Sequence, residues 1–392
     1  MTGVWASVWV TLGIQTLMSL VVFTPPVLAP AAQDEVGVHA SAVGIATALI
    51  YLSATISALL SGRAIGRHGP MRMSQASLAL SGAGLGLMAT ANQFLVVVGA
   101  LVIGLGYGQV TPSSSAILVE RTPPHLRAFI FSLKQTGVPI GGALAGAVLP
   151  ALIYGMGWRM AALLCAGICI VLAFALQPMR SQVDPRNRAP GETRGGGLFD
   201  PLRLVLSQPR LREMGLASFT YSGMQMCLGS FLVVFLHDHA RFGLSLAGAA
   251  LSVAMVAGIG GRLLWGVVAD NWIKPRLLLG LLGAGMSLAA FAMALVTSAW
   301  AAAAVFLLSA IFGATAVGWN GVYLSEVAHI APPGRAAAAT GASLALTYSG
   351  VIVLPTIFWV IVAMSGSYAA AFIATGLLTL WRGCLLLRPR SG

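Results

Sequence analysis

Acidic residues are the scarcest class. Only ten Asp and Glu occur among 392 residues, and charges of both signs together make up 8%. Soluble domains carry about 25% charged residues, so this chain lacks the polar surface that a water-soluble fold must show. Strand-like alternation of polar and apolar positions is also missing, which argues against a membrane β-barrel. Cysteine is limited to Cys165, Cys169, Cys227 and Cys384, each inside an apolar run. Cys165 and Cys169 share a helix face, but no histidine or second cysteine pair completes a metal set. All four read as small buried apolar side chains. No zinc signature and no nucleophile–base pair lies inside the apolar runs, so neither an enzyme nor a bound cofactor is expected.

What is present is apolar. Hydrophobic residues make up 58% of the chain. They come in runs of about 20, each enough to cross about 30 Å of hydrocarbon as a helix. The first run, Val4 to Pro30, has no basic stretch before it and is too long for a signal peptide, so it reads as a retained helix. The pattern gives six segments at 4–30, 41–61, 73–91, 93–119, 128–153 and 158–177. Six more follow at 213–236, 245–269, 276–297, 299–325, 336–363 and 367–387. Between the two sets lies a polar stretch from Pro178 to Arg212, with seven arginines, three acids and the run Gly195-Gly196-Gly197. The expected fold is all-α and integral to the membrane, with twelve transmembrane helices in two six-helix bundles. The expected division is 1–177, a basic linker over 178–212, and 213–392.

The formal net charge is +12, a balance that can mark nucleic-acid binding. Here the arginines sit in short loops and build no continuous patch, so the expected partner is a lipid bilayer and not nucleic acid. Arg63, Arg67 and Arg72 lie between segments two and three, and Arg121 and Arg127 between four and five. Lys274 and Arg276 lie between eight and nine, and Arg388 and Arg390 in the tail. The opposite loops hold Arg159 and Arg241 against Asp34, Glu35 and Asp238. An excess of basic residues on one side orients a membrane chain. Both termini and the linker are therefore expected in the cytoplasm, with the protein a monomer in a bacterial inner (cell) membrane.

The halves repeat each other. GRAIGRHGPMR (62–72) matches GVVADNWIKPR (266–276) in length, opening glycine and closing arginine. ERTPPHLRA (120–128) is echoed by EVAHIAPPGRA (326–336), and VLPAL (148–152) by VLPTI (353–357). Two repeats of one topology imply bundles related by an axis along the membrane normal. A glycine, an acid four residues on, and basic residues after it resemble the loop signature of the major facilitator superfamily. Gly62, Arg67, Gly69 and Arg72 fit the first copy, with Gly66 where the family has Asp; Gly266, Asp270 and Arg276 fit the second. The resemblance implies the major facilitator fold and transport by alternating access. It implies that helices five and eight meet. It also implies a loop-side gate built from Gly62, Arg63, Arg67, Arg72, Glu120, Arg127, Gly266, Asp270, Arg276, Glu326 and Arg335. Surface ion pairs worth about 0–1 kcal/mol each suit a gate that breaks on every cycle.

Two charges stand well inside the apolar segments, Lys134 in segment five and Arg262 in segment eight. Each lies about 10–12 Å from the nearer end at 1.5 Å per residue. A cation at a helix centre costs roughly 2.5–3.5 kcal/mol on insertion scales. All ten acids and all six histidines fall in loops or near segment ends, so no acid shares the depth of either cation, and a visiting anion would compensate both. Arginine offers a planar fork that suits a carboxylate; lysine acts as a point charge. The bland alternative is that both side chains snorkel toward the membrane surface. Gln15, Tyr107, Gln109, Gln135, Tyr221, Gln225, Asn320 and Tyr348, with Tyr51 and Trp319, could line the same cavity or simply bond helix to helix. Gly137, Gly141, Gly142 and Gly146, with Gly258, Gly260 and Gly261, permit close backbone approach. Gly104-Leu105-Gly106-Tyr107-Gly108 has the look of a dinucleotide loop but follows no strand.

The Arg262–Gly266–Asp270 spacing resembles the oxalate/formate antiporter and monocarboxylate transporter branches of the superfamily, in which an arginine on helix eight contacts the carboxylate. The expected function is secondary transport of a small organic anion, by symport or exchange, with a proton as candidate coupling ion. The rivals are a proton-coupled drug or metabolite exporter, which would want a membrane carboxylate, and a non-transporting membrane sensor.

Overall fold

The computed structural model describes residues 2–37, 43–184 and 199–388. Among them every regular element is a helix. The first half runs α1 (Thr2–Val36), α2 (Val43–His68), α3 (Pro70–Met88), α4 (Gln93–Arg121), α5 (Arg127–Gln135), α6 (Gly137–Met156) and α7 (Trp158–Ala175). Two short helices, α8 (Gln177–Val183) and α9 (Asp200–Ser207), fall in the linker. The second half runs α10 (Pro209–Val234), α11 (Leu244–Asn271), α12 (Pro275–Ala294), α13 (Ala302–Ala316), α14 (Asn320–Ile330), α15 (Ala336–Ser365) and α16 (Tyr368–Leu387). The triple glycine and Glu192 of the linker, and Arg390 of the tail, lie outside the described residues.

Eleven stretches among the described residues are long and apolar enough to cross a membrane, counting α5 with α6 and α13 with α14 as single stretches. The third expected segment, α3, falls short of that measure because it carries Arg72, Ser74, Gln75, Ser77 and Ser81. Most of this polarity turns inward. Ser74, Gln75, Ser77 and Ser81 are buried, and Gln75 Nε2 donates to the Ala173 carbonyl (2.9 Å) and to Gln177 Oε1 (3.0 Å). Large apolar side chains such as Phe94, Val171, Phe174, Leu288 and Trp359 point outward instead, as an apolar solvent permits.

Two expected single helices are broken. Segment five divides at Thr136, between α5 and α6. Pro139 has no N–H, and its ring crowds the carbonyl four residues back, which is that of Gln135, the last residue of α5. Pro139 then sits in the first turn of α6, where a missing N–H is harmless. Segment ten divides at Val317-Gly318-Trp319, a turn between α13 and α14.

Contacts gather the chain into two compact units. The first is Met1–Thr122, Lys134–Ser207 and Ala328–Ala345; the second is Pro123–Leu133, Gln208–Val327 and Leu346–Gly392. Most of α5 thus belongs with the second unit, and the start of α15 with the first. In the first unit α4 packs on α1, α2 and α3, and α1 on α6; in the second α12 packs on α16 and α11 on α13. Small residues make these approaches possible. A Cβ on Gly104 or Gly108 would meet the α2 carbonyls of Ile50 or Ala54, and one on Gly106 would fall 2.6 Å from the Ser77 carbonyl of α3. The run that looks like a dinucleotide loop is therefore helix-packing surface. Gly141, Gly258 and Gly261 are equally tight, but Gly146 and Gly260 have nothing within 4 Å and do not serve close approach. Cys384 is likewise a correction, since it is exposed on α16 while the other three cysteines are buried.

Candidate functional site

The polar groups inside the first unit centre on Lys134. It lies in the last turn of α5, where a cation is favoured by the helix dipole, and is 1% exposed. Its Nζ donates to Gln15 Oε1 of α1 (2.7 Å), Gln135 Oε1 (2.9 Å) and Thr111 Oγ1 of α4 (3.4 Å). The Thr111 hydroxyl donates in turn to Gln15 Oε1 (3.3 Å), and Gln15 Nε2 donates to Ser19 Oγ (3.3 Å). Three helices thus bring neutral oxygens to one ammonium. Gln109 is not part of this group. Its Nε2 donates to Ser57 of α2, at the carbonyl (2.6 Å) and at Oγ (2.9 Å). Tyr107 stands edge-on to Tyr51, ring centroids 6.3 Å apart.

In the second unit Arg262 of α11 is 2% exposed, so it does not snorkel to the surface. Its Nε donates to the Val317 carbonyl (3.0 Å), in the turn between α13 and α14. Asn320, the first residue of α14, donates from Nδ2 to Gln225 Oε1 of α10 (3.1 Å). Tyr221 is committed to packing: its hydroxyl donates to the Leu279 carbonyl of α12 (2.9 Å), and its ring meets that of Trp319 edge-on at 5.6 Å. Tyr348 is buried on α15. The structure therefore groups Lys134 with Gln15 and Gln135, and Asn320 with Gln225, while Gln109 and Tyr221 bond neighbouring helices. Thr111 is a member of the Lys134 group that the sequence pattern does not single out, although it opens the one polar run, TPSSS, within α4.

At the ends that carry the arginine-rich loops, Asp270 accepts from the N–H groups of Ala128 (2.9 Å) and Phe129 (2.7 Å). Its carboxylate occupies the N-terminus of α5, where unpaired N–H groups and the dipole favour an anion. One turn earlier a Cβ on Gly266 would fall 2.8 Å from Ser132 Oγ, so segments five and eight do meet here, within the second unit. The matching place on α2 is Gly66, which has no side chain. There the first unit relies on close packing: a Cβ on Gly62 would lie 2.5 Å from Ala338 Cβ of α15, and Ser61 Oγ donates to the Ala337 carbonyl (3.4 Å).

An acid does serve the loop after α2, but it comes from the linker. Asp184 accepts from Met71 N–H and Arg72 N–H, both at 2.9 Å. Gly69, with φ of +91°, leaves room for it, since a Cβ there would collide with the Asp184 carboxylate. Arg63 pairs with Asp200 at 3.9 Å. Arg276 pairs with Glu213 at 3.2 Å and donates to the Leu385 (3.1 Å) and Arg388 (3.0 Å) carbonyls at the end of α16. Arg67 is exposed in the last turn of α2, Glu120 in that of α4 and Arg335 just before α15. Arg127 opens α5 and Glu326 lies in α14, both half-buried.

A sequence model of the Major Facilitator Superfamily matches residues 11–355. The hexuronate transporter of Bacillus subtilis is 20% identical over 379 residues, spanning 92% of this chain and 89% of that protein. A Cupriavidus necator protein named probable sulfoacetate transporter SauU is 24% identical over 94% of this chain and 90% of its own. The crystal structure of the Escherichia coli fucose:proton symporter FucP shares the fold, with a TM-score of 0.77 at 16% identity and coverage of 97% of this chain and 98% of that one. On its sequence, its membrane-crossing helices and its fold, the chain belongs to the major facilitator superfamily and is a multi-pass integral membrane protein.

Proposed function

We propose that the protein is a secondary transporter of a small organic anion, working by alternating access, with Arg262 as the group that recognises the carboxylate. The observation that carries this is the setting of Arg262. A guanidinium 2% exposed, inside a membrane-spanning helix, has its Nε fixed on the Val317 carbonyl, and that bond sets the direction of its fork. A planar fork of fixed direction is suited to two-pronged recognition of a carboxylate. Lys134 contributes a second buried positive charge in the first unit. The relatives named for hexuronate and sulfoacetate, both organic anions, support the substrate class. We read the arginine-rich ends as cytoplasmic, following the charge bias of the loops.

The test is counterflow in proteoliposomes with glucuronate, sulfoacetate and lactate, against glucose as neutral control. Carboxylates are expected to exchange, glucose is not, and Arg262→Ala is expected to lose the exchange while inserting normally. Glucose exchange equal to that of the carboxylates would overturn the substrate class. Carboxylate exchange that survives Arg262→Ala would remove Arg262 from the site. Repeating the assay with an imposed pH gradient separates proton symport from anion exchange: net uptake that follows the gradient marks the proton as co-ion.

A further inference from the structure

The turn between α13 and α14 leaves carbonyls that an unbroken helix would have bonded internally. In a helix each carbonyl takes the N–H four residues on, so Ala314, Ala316 and Val317 would bond residues 318, 320 and 321. Side chains take these carbonyls instead. Trp265 Nε1 donates to Ala314 (2.7 Å), Trp319 Nε1 to Ala316 (3.1 Å) and Arg262 Nε to Val317 (3.0 Å). Two of the three donors lie on α11 three residues apart, hence on one helix face. The indole of Trp265 also covers Gly318: a Cβ there would fall 2.7 Å from Trp265 Cδ1 and 2.9 Å from its Nε1. The contact is close along its length, for a Cβ on Gly261 would lie 2.6 Å from the Ala314 carbonyl and one on Gly258 2.6 Å from Val317 Cβ.

We infer that Trp265 is a positioning residue for Arg262, acting through this turn; the inference rests on Arg262 being the group that recognises the anion. The indole holds the last turn of α13 open at Ala314 and packs on Gly318. Val317 lies between those two anchors, so its carbonyl, which orients the guanidinium, is placed by Trp265. Removing the indole N–H lets the helix bond Gly318 N–H to the Ala314 carbonyl. That rewinding turns the Val317 carbonyl and with it the fork of Arg262. The contacts of Trp265 described here are to the turn, so its effect on the anion is indirect.

The experiment is a titration of the full-length protein in detergent with glucuronate and with sulfoacetate, read by thermal shift, since a ligand of the folded state raises its melting temperature by mass action. Four variants are compared with wild type: Trp265→Phe, which keeps an aromatic ring and loses the donor; Trp265→His, which keeps a ring N–H; Gly318→Ala, which displaces the indole from the turn; and Arg262→Ala, which removes the guanidinium. Trp265→Phe and Gly318→Ala are expected to bind about tenfold more weakly, the equivalent of one misaligned charged hydrogen bond. Trp265→His is expected to bind within about threefold of wild type, no more than one weak hydrogen bond would account for. The ligand-free melting temperatures of the variants should not follow this order, which separates aim from general packing. Unchanged affinity in Trp265→Phe and Gly318→Ala, with binding lost in Arg262→Ala, overturns the positioning role and leaves the function standing. Failure of both anions to shift wild type overturns both. If Trp265→Phe yields no folded protein, the contrast between Trp265→His and Gly318→Ala decides in the same way.

Discussion

The hydrogen bonds described for the two buried cations differ in kind. Lys134 belongs to a helix that breaks: it stands in the last turn of α5, and its ammonium meets the side-chain oxygens of Gln15, Gln135 and Thr111. Arg262 belongs to the continuous helix α11 and reaches across to the break in another, where its Nε meets a backbone carbonyl. Side-chain oxygens turn with their rotamers, whereas a carbonyl moves only with its backbone. Arg262 is therefore aimed and Lys134 is cushioned. An aimed group discriminates by shape; a charge wrapped in rotatable dipoles contributes field with little direction.

The largest effect should come from destroying the aim. Arg262→Ala is expected to lower carboxylate exchange by about a hundredfold or more, because two charged hydrogen bonds of about 1.5–3 kcal/mol each are lost. Arg262→Lys is expected to lose nearly as much, although it keeps the charge. A lysine has no Nε–H to hold on Val317 and no fork. Counterflow rates of the two variants check this. Near-normal exchange with lysine at 262 would erase the distinction between the two cations.

Next in size is the cushioned charge. Lys134→Gln removes the charge while keeping two N–H donors, on a side chain one bond shorter than the lysine it replaces. The expected drop is about tenfold, in the range of a single charged hydrogen bond, and larger for doubly charged sulfoacetate than for singly charged glucuronate. Initial uptake rates for the two anions give the comparison. Equal losses for both would show that Lys134 acts by shape after all.

The contrast was only partly legible in the sequence. Helices were legible because a chain in lipid must satisfy its backbone internally, which demands long apolar runs. Both cations stood out against those runs. The break after α5 was signalled by Pro139, yet Pro112, Pro150 and Pro355 lie within helices that run through, so proline alone does not mark a break. Gly318 was a weaker sign of the break after α13. Trp265 was invisible, since it donates to a carbonyl 49 residues away, a pairing that no local pattern encodes. Asp184 was hidden for the same reason, because it serves N–H groups 112 and 113 residues back along the chain. What the apolar periodicity could not supply was the destination of each polar group. That depends on which helices are neighbours.

A smaller effect is expected from Gln15→Glu. The substitution preserves shape and places a carboxylate where Gln15 Oε1 now accepts from Lys134 at 2.7 Å. The new acid would neutralise the cushioned charge from within. Exchange should fall by about threefold to tenfold, no more than in Lys134→Gln, because the ammonium stays in place and only its reach is lost. Sulfoacetate should again suffer more than glucuronate. If exchange instead fell as far as in Arg262→Ala, Gln15 would be a direct contact to the anion and not a part of the cushion.

The smallest effect belongs to Thr111→Val, a change of nearly equal volume that removes one hydroxyl. That hydroxyl accepts from Lys134 Nζ at 3.4 Å and donates to Gln15 Oε1 at 3.3 Å, both at the long end for hydrogen bonds. Ordinary bonds contribute about 0.5–1.5 kcal/mol net, and long ones sit at the low end of that range. The shorter bonds to Gln15 and Gln135 remain, and their side chains can shift to share the ammonium. The expected loss of exchange is therefore less than about threefold, with no change in the preference between glucuronate and sulfoacetate. A cushion built of several rotatable oxygens should tolerate the loss of its weakest one. An aimed contact would not, and the matching change on the other cation, Trp265→Phe, should cost more although it lies a residue further from the charge. Should Thr111→Val lower exchange as much as Lys134→Gln does, the ammonium depends on a single partner and Lys134 is aimed like Arg262.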